Sequence, residues 1–259
     1  MVWDDLVGTT EKRSAVMLAT IDVAAMRVVA TARAVSRTNE DAERPRLAAR
    51  PGGYWLAYAV RGVAAPKKGD AKHGRRADDE DDRELGEAIT TSWVELVPLD
   101  ESGAPTASGR AVTPKSGHAL SYDLELGDDG GAIVAWRDDD TPTGSGGGRL
   151  LATLARLGGG GEPRVLAEET AAAGVPELMP GWLSLASVSG ATRIAALSGR
   201  GELLDELAPE KSLGAGVPIA GTRDAILWAR PMGKPMRLSV VRCKRRPVGG
   251  AGAAGDGGG

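Results

Sequence analysis

Apolar residues in this chain fall in short runs with period-two alternation, separated by turns rich in Gly, Pro, Asp and Ser, which predicts strands rather than helices. Four runs look alike: "RPGGYWLAYAV" (50–60), "GGAIVAWR" (130–137), "PGWLSLAS" (180–187) and "RDAILWAR" (223–230). Aligned by alternation, Leu56-Ala57-Tyr58 matches Val134-Ala135-Trp136, Leu183-Ser184-Leu185 and Ile226-Leu227-Trp228, and Val2-Trp3 matches the end of a fifth copy. The second slot is small in three of the four copies and the third slot is large in all of them. The third-slot residues Trp3, Tyr58, Trp136, Leu185 and Trp228 are spaced by 55, 78, 49 and 43 residues. The long interval contains a charged insert, and without it the period is that of a four-stranded structural repeat, about 40–50 residues.

The flanks recur as well. Upstream of the key strand stands a Pro-x-apolar element, Pro45-Arg46-Leu47, Pro176-Glu177-Leu178 and Pro218-Ile219-Ala220, replaced in one copy by His118-Ala119-Leu120. Downstream comes another apolar run: "AVMLATIDV" (15–23), "SWVELVPLD" (92–100), "RLLATLARL" (149–157), "TRIAALSGR" (192–200) and "MRLSVVRC" (236–243). A shorter run follows, such as "RVVATARAV", "RVLAEE" or "LLDELAP". Each unit therefore predicts four strands joined by turns. "RLLATLARL" taken alone would also suit a helix, but its counterparts contain Pro or β-branched residues and are too short. Residues 166–174, "LAEETAAAG", are the most helix-like stretch and predict a turn of helix.

A lone four-stranded sheet cannot bury its faces, and sheets stacked radially bury them against one another. A small second slot lets neighbouring sheets approach, while the large third slot lies on the opposite face. The pattern resembles bacterial β-propeller repeat proteins over most of residues 1–243, without a WD dipeptide, a kelch double-Gly pattern or a sialidase-type Asp box to assign a subfamily. The resemblance implies an all-β fold, a β-propeller of four-stranded antiparallel blades with four to five blades visible. The chain starts at the close of one key strand and stops one strand after the last, so the expectation is an incomplete or N-terminally truncated ring, the alternative being a shortened ring whose last blade is completed by the N-terminal strands. Propeller repeats are expected over 1–244, with a charged loop insert at 66–86 and a disordered Gly/Ala-rich tail at 245–259. Members of this superfamily are often exported or lipid-anchored; an export signal or anchor would have to lie upstream of Met1, because "MVWDDLVGTTEKRS" has no basic start and no apolar stretch.

Composition narrows the function classes. The 259 residues carry a net charge of −3, which gives no electrostatic footprint for nucleic acid. There is no Phe, so six Trp and three Tyr must serve a core of aliphatic residues, and their expected role is packing between sheets. The single cysteine, Cys243, excludes an internal disulfide and reads as a packing residue. No apolar run is long enough for a transmembrane segment.

Candidate chemistry is thin. The insert "PKKGDAKHGRRADDEDDREL" (66–85) is basic, then acidic, and reads as a solvated loop at a sheet edge. Its run Asp78, Asp79, Glu80, Asp81 and Asp82 lacks the alternating ligand spacing of a calcium loop, so no metal is expected. Asp138-Asp139-Asp140 and Asp4-Asp5 read as short acidic turns between strands. A Ser-His-Asp arrangement can be drawn from His118, Ser121 and Asp123, but residues this close on a strand point to alternate faces. The only other histidine, His73, lies in the insert, so a two-His zinc site is not expected either. The glycines of "GSGGG" (144–148) and "GGGG" (158–161) lack the Lys-Ser/Thr of a phosphate loop and read as turns.

The sequence thus names no catalytic, cofactor-binding or metal residue. Three functions compete: a non-enzymatic propeller scaffold presenting loops to a protein or carbohydrate ligand, which is the leading expectation; a carbohydrate-active hydrolase with carboxylates at the axial face; and a fragment without independent activity. Carboxylates converging at the axis would favour the hydrolase.

Overall fold

The computed structural model describes residues 1–8, 13–63, 89–144, 147–167, 173–187, 192–207, 217–230 and 236–242. Among these residues every regular element is a strand, and the strands form five antiparallel sheets in chain order. The first sheet is β1 (Val2–Val7), β2 (Arg13–Asp22) and β3 (Arg27–Ala34). The second is β4 (Asp41–Arg50), β5 (Gly53–Val63), β6 (Ile89–Leu99) and β7 (Arg110–Ala111). In the third, β8 (Ala119–Leu126) pairs with β9 (Ala132–Asp139) and β9 with β10 (Gly148–Arg156); β11 (Gly159–Gly160) and β12 (Arg164–Ala167) both pair with β10. The fourth runs β13 (Ala173–Met179), β14 (Trp182–Ser187), β15 (Thr192–Leu197), β16 (Leu203–Leu207), and the fifth β17 (Val217–Thr222), β18 (Ala225–Arg230), β19 (Arg237–Arg242).

The four look-alike runs are β5, β9, β14 and β18, each the second strand of its sheet. Uniform four-stranded sheets were expected; the described sheets have three, four, five, four and three strands. The helical turn expected within 166–174 is not formed at either end of that stretch, since Ala167 closes β12 and Ala173 opens β13; residues 168–172 lie outside the described residues. So do the insert, with His73 and its acidic run, and the Gly/Ala tail with Cys243.

The core is a series of layers between consecutive sheets. Leu56, Tyr58 and Val60 of β5 pack on Val16 and Leu18 of the first sheet, while Trp55, Ala57 and Ala59 face the third. In β9, Val134 and Trp136 meet the second sheet, and Ile133 and Ala135 meet the fourth. Ile226 and Trp228 of β18 pack on Trp182 and Ile194 of the fourth. The third-slot residues Tyr58, Trp136 and Trp228 thus look back along the chain, and the second-slot Ala57 and Ala135 look forward, as strand alternation requires. Trp55, Trp136, Trp182 and Trp228 are all buried, which fits the packing role expected of the tryptophans. Among the described residues, no apolar cluster joins the fifth sheet to the first.

The Pro-x-apolar signature now has a cause. All four strands that precede a key strand carry a register shift: at Glu43/Arg46, Ala119/Ser121, Ala173/Pro176 and Pro218/Ala220. Pro45, Pro176 and Pro218 lie at these bulges, where a missing N–H costs the ladder nothing. Two of the following hairpins also match. Pro51-Gly52 and Pro180-Gly181 place proline before a glycine with φ of 73° or 82°, as a type II turn demands.

Candidate functional site

The first strands of the second, third and fourth sheets, β4, β8 and β13, lie next to one another. In β8 and β13 a buried row alternates with a row that reaches water, and in β4 the bulge turns two arginines to water. In β8, Tyr122 and Leu124 are buried whereas Ser121, Asp123 and Glu125 are half-buried; in β13, Pro176 and Leu178 are buried and Glu177 is exposed; in β4, Arg44 and Arg46 are exposed. One arginine and three carboxylates, Arg46, Asp123, Glu125 and Glu177, therefore share one polar face.

Asp123 is its centre. Its Oδ1 lies 3.3 Å from Arg46 Nε, and its Oδ2 accepts the backbone N–H of Leu178 at 2.7 Å. One carboxylate thus ties β8 to β4 on one side and to β13 on the other. Arg44 adds to the first junction: its guanidinium donates to the carbonyl of Leu120, and its own carbonyl accepts the hydroxyl of Tyr122. Arg44 has a φ of 54° in the bulge of β4, and this left-handed backbone turns its carbonyl toward β8. The Tyr122 hydroxyl also donates to the carbonyl of Ala57 at 3.2 Å.

Burial raises the proton affinity of all three carboxylates. For Asp123, desolvation outweighs the N–H bonds of Leu178 and Leu124 and the charge of Arg46. Glu125 and Glu177 are likewise raised, first by desolvation and then by the charge of Asp123, with Arg46 opposing at Glu177.

A second polar cluster has a buried centre, Glu95, Glu40 and Tyr58, capped by the exposed side chains of Lys115 and Arg37. Glu95, fully buried on β6, accepts the indole N–H of Trp93 at 3.1 Å and has Lys115 Nζ at 3.6 Å. The Tyr58 hydroxyl donates to Glu40 at 3.3 Å, and Glu40 is paired with Arg37 at 3.2 Å. Burial raises the Tyr58 hydroxyl's pKa, and the nearby carboxylates Glu40 and Glu95 add to it. A cavity of about 270 Å³ opens between the third and fourth sheets, lined by Thr153, Arg156, Glu162, Arg164, Arg200 and Glu202 among others. Its charges are largely matched: Arg164 pairs with Glu202, and Arg156 lies 2.6 Å from Asp129.

The candidates drawn from the sequence resolve differently from one another. His118, Ser121 and Asp123 form no triad: the His118 Nδ1 is 2.8 Å from the carbonyl of Asp139, and both oxygens of Asp123 are engaged elsewhere. The acidic stretches are not turns. Asp138 and Asp139 belong to β9, with only Asp140 beyond it, and Asp4 and Asp5 belong to β1. Their polarity is absorbed by partners: Asp139 pairs with Arg137 at 2.7 Å, Asp138 with Arg149 at 3.3 Å, and Asp4 accepts the N–H of Arg44. Gly144 turns the chain with a φ of 67°, and Gly148 already belongs to β10. Among the described residues no group of three or more His, Cys, Asp and Glu side chains is placed to hold a metal ion, and no helix is long and apolar enough to cross a membrane.

Sequence reasoning missed Arg46, Asp123, Glu125 and Glu177 as a set. The signal was present in "SYDLEL", whose polar half-strand is out of keeping with the buried strands around it. Sequence spacing alone cannot reveal that three such strands are neighbours.

Neither a family model nor a curated relative matches the chain. Among solved structures it is similar to an endo-arabinase from Bacteroides thetaiotaomicron, at 12% identity and a TM-score of 0.41, with 90% of this chain and 87% of that one covered.

Proposed function

We propose that the chain is a β-propeller whose first strands surround a polar axial face, and that this face serves a non-enzymatic scaffold by binding a protein or carbohydrate ligand rich in hydrogen-bond donors. The observation that carries this reading is the state of Asp123. It is the most enclosed of the three carboxylates, and both its oxygens are committed, to Arg46 and to the Leu178 N–H. A carboxylate used as a joint between strands is not free to move a proton, whereas the rim beside it, Arg46 with Glu125 and Glu177, offers charged contacts, of which Arg46 is held by Asp123 before a ligand arrives. The test is a peptide and glycan array followed by calorimetric titration of each hit. Glu177→Gln is expected to weaken a genuine axial ligand by about tenfold, the scale of one charged hydrogen bond. Hits that ignore Glu177→Gln and Arg46→Ala alike would remove the face from consideration.

The second reading, a carbohydrate-active hydrolase, is favoured by one observation. All three carboxylates have raised proton affinities, and a general acid for glycoside cleavage needs such a group. Release of reducing ends from a polysaccharide panel, abolished by Glu125→Gln or Glu177→Gln, would select it over the scaffold.

A further inference from the structure

We infer that the cavity between the third and fourth sheets binds a small zwitterion, an α-amino acid or dipeptide, whose carboxylate meets Arg200 and whose ammonium group meets Glu162. The cavity measures about 270 Å³. Sites for drug-sized ligands run from roughly 300 to 1,000 Å³, so this one suits a smaller molecule.

Charge selects the ligand. Arg156, Arg164 and Arg200 line the cavity together with Glu162 and Glu202. Arg156 is committed to Asp129 at 2.6 Å, and Arg164 to Glu202. The charge of Arg200 also acts on Glu202, but the hydrogen bond to that carboxylate comes from Arg164. Arg200 and Glu162 are left over: among the described residues neither forms an ion pair, with the other or with a third group. A simple anion or cation would answer only one of them, whereas a zwitterion answers both. The planar fork of the guanidinium matches a carboxylate in two parallel hydrogen bonds.

The walls stand before a ligand arrives, which lowers the cost of binding. On one side Arg110 of β7 donates to the carbonyls of Arg156 at 2.9 Å and Gly159 at 2.6 Å. The N–H of Gly161 bonds back to the carbonyl of Leu154 at 2.9 Å, and the Thr153 hydroxyl donates to the carbonyl of Gly161 at 2.8 Å. On the other side the Ser198 hydroxyl oxygen accepts the N–H groups of Arg200 and Glu202, each at 3.1 Å. The N–H of Asp128 donates to the carbonyl of Gly199 at 3.0 Å and ties this turn to the third sheet. Ala152 and Leu154 of β10 add apolar surface for a short aliphatic side chain. The inference rests neither on the polar face of the first strands nor on ring closure.

The probes are free leucine and leucyl-leucine, titrated calorimetrically into the full chain. The tighter of the two is then compared with its N-acetylated form, which lacks the ammonium group, and its amidated form, which lacks the carboxylate. Each blocked form is expected to bind about tenfold more weakly, the scale of one charged hydrogen bond. Arg200→Gln should weaken the zwitterion by about the same factor and leave the amidated form unaffected, while Glu162→Gln should do so and leave the N-acetylated form unaffected. Both residues are exposed, so thermal melts of the two variants should match the wild type. Arg46→Ala, on the other face, should bind as the wild type does. Absence of binding by both zwitterions overturns the inference. So do blocked forms that bind as tightly as the zwitterion, or wild-type affinity for it in either cavity variant.

Discussion

Trp182 donates its indole N–H to the carbonyl of Thr222 at 2.6 Å, across the seam between the fourth and fifth sheets. Trp55 makes the same bond to Gly130 between the second and third, at 2.9 Å. In both cases the acceptor lies at the hairpin joining the first and second strands of the next sheet. The third-slot tryptophans Trp136 and Trp228 are as deeply buried, yet their indole nitrogens have no partner among the described residues. Substitution by Phe should divide the four into two classes. Trp55→Phe and Trp182→Phe lose a hydrogen bond as well as volume, and should cost about 1–2 kcal/mol more than Trp136→Phe and Trp228→Phe. Urea unfolding followed by circular dichroism measures the difference, and equal costs in all four would show that the indole bonds add nothing.

The polar face sets a pH dependence. The raised pKa values of Asp123, Glu125 and Glu177 mean that the folded chain holds their protons more tightly than the unfolded chain does. Their contribution is fully present below the unfolded carboxyl pKa of about 4 and is lost as pH rises through the folded values. Asp100, Asp129 and Glu202 have lowered values and act in the opposite sense, losing their contribution as pH falls. The difference between the wild type and an Asp123→Asn, Glu125→Gln, Glu177→Gln variant isolates the first effect. Relative to the wild type, the variant should gain stability on going from about pH 4 to pH 7 in urea titrations. A constant difference across that range would show that the three groups are solvated as in the unfolded chain.

Gly53 closes the hairpin into β5. Its φ is 144°, and an added Cβ would lie 2.0 Å from the carbonyl oxygen of Leu99, a backbone atom of the adjacent strand. Gly53→Ala should therefore destabilise by at least about 2 kcal/mol, combining a forbidden backbone with a clash that no rotamer relieves. Gly52→Ala next to it meets no atom and carries only the cost of a φ of 73°, so it is expected to be the milder of the two in thermal melts.

Tyr122 joins two sheets with one hydroxyl, donated to the carbonyls of Arg44 and Ala57. Tyr122→Phe keeps the ring in the core and strips both acceptors, at an expected cost of about 1–3 kcal/mol. Because Arg44 relies on this bond for its bulge, exchange of amides in β4 should quicken in the variant beyond the global loss. Uniform acceleration across all sheets would argue against a local role.

The strands were legible because alternation and turn chemistry repeat at a fixed period, so five weak signals corrected one another. "RLLATLARL" was rescued from a helical reading by its counterparts, and it is β10. The Pro-x-apolar signature was visible as a motif before its cause was, since a bulge is a property of pairing and pairing is not written in one strand. The acidic pairs misled for a related reason. Asp138 and Asp139 are polar enough for a turn by composition, but Arg137 and Arg149 neutralise them inside and beside β9. The polar face was out of reach because Arg46, Asp123 and Glu177 are distant along the chain and meet only when consecutive first strands lie side by side.

The layered core carries a consequence for how the molecule comes apart. Among the described residues each apolar cluster joins sheets that are consecutive in the chain, so the cohesion these clusters supply is local. Loss of the fifth sheet strips its seam from the fourth but leaves the layers between the second, third and fourth intact. Partly folded species that keep the layers between the second, third and fourth sheets are expected during denaturation, and those layers should be the last part to yield to protease.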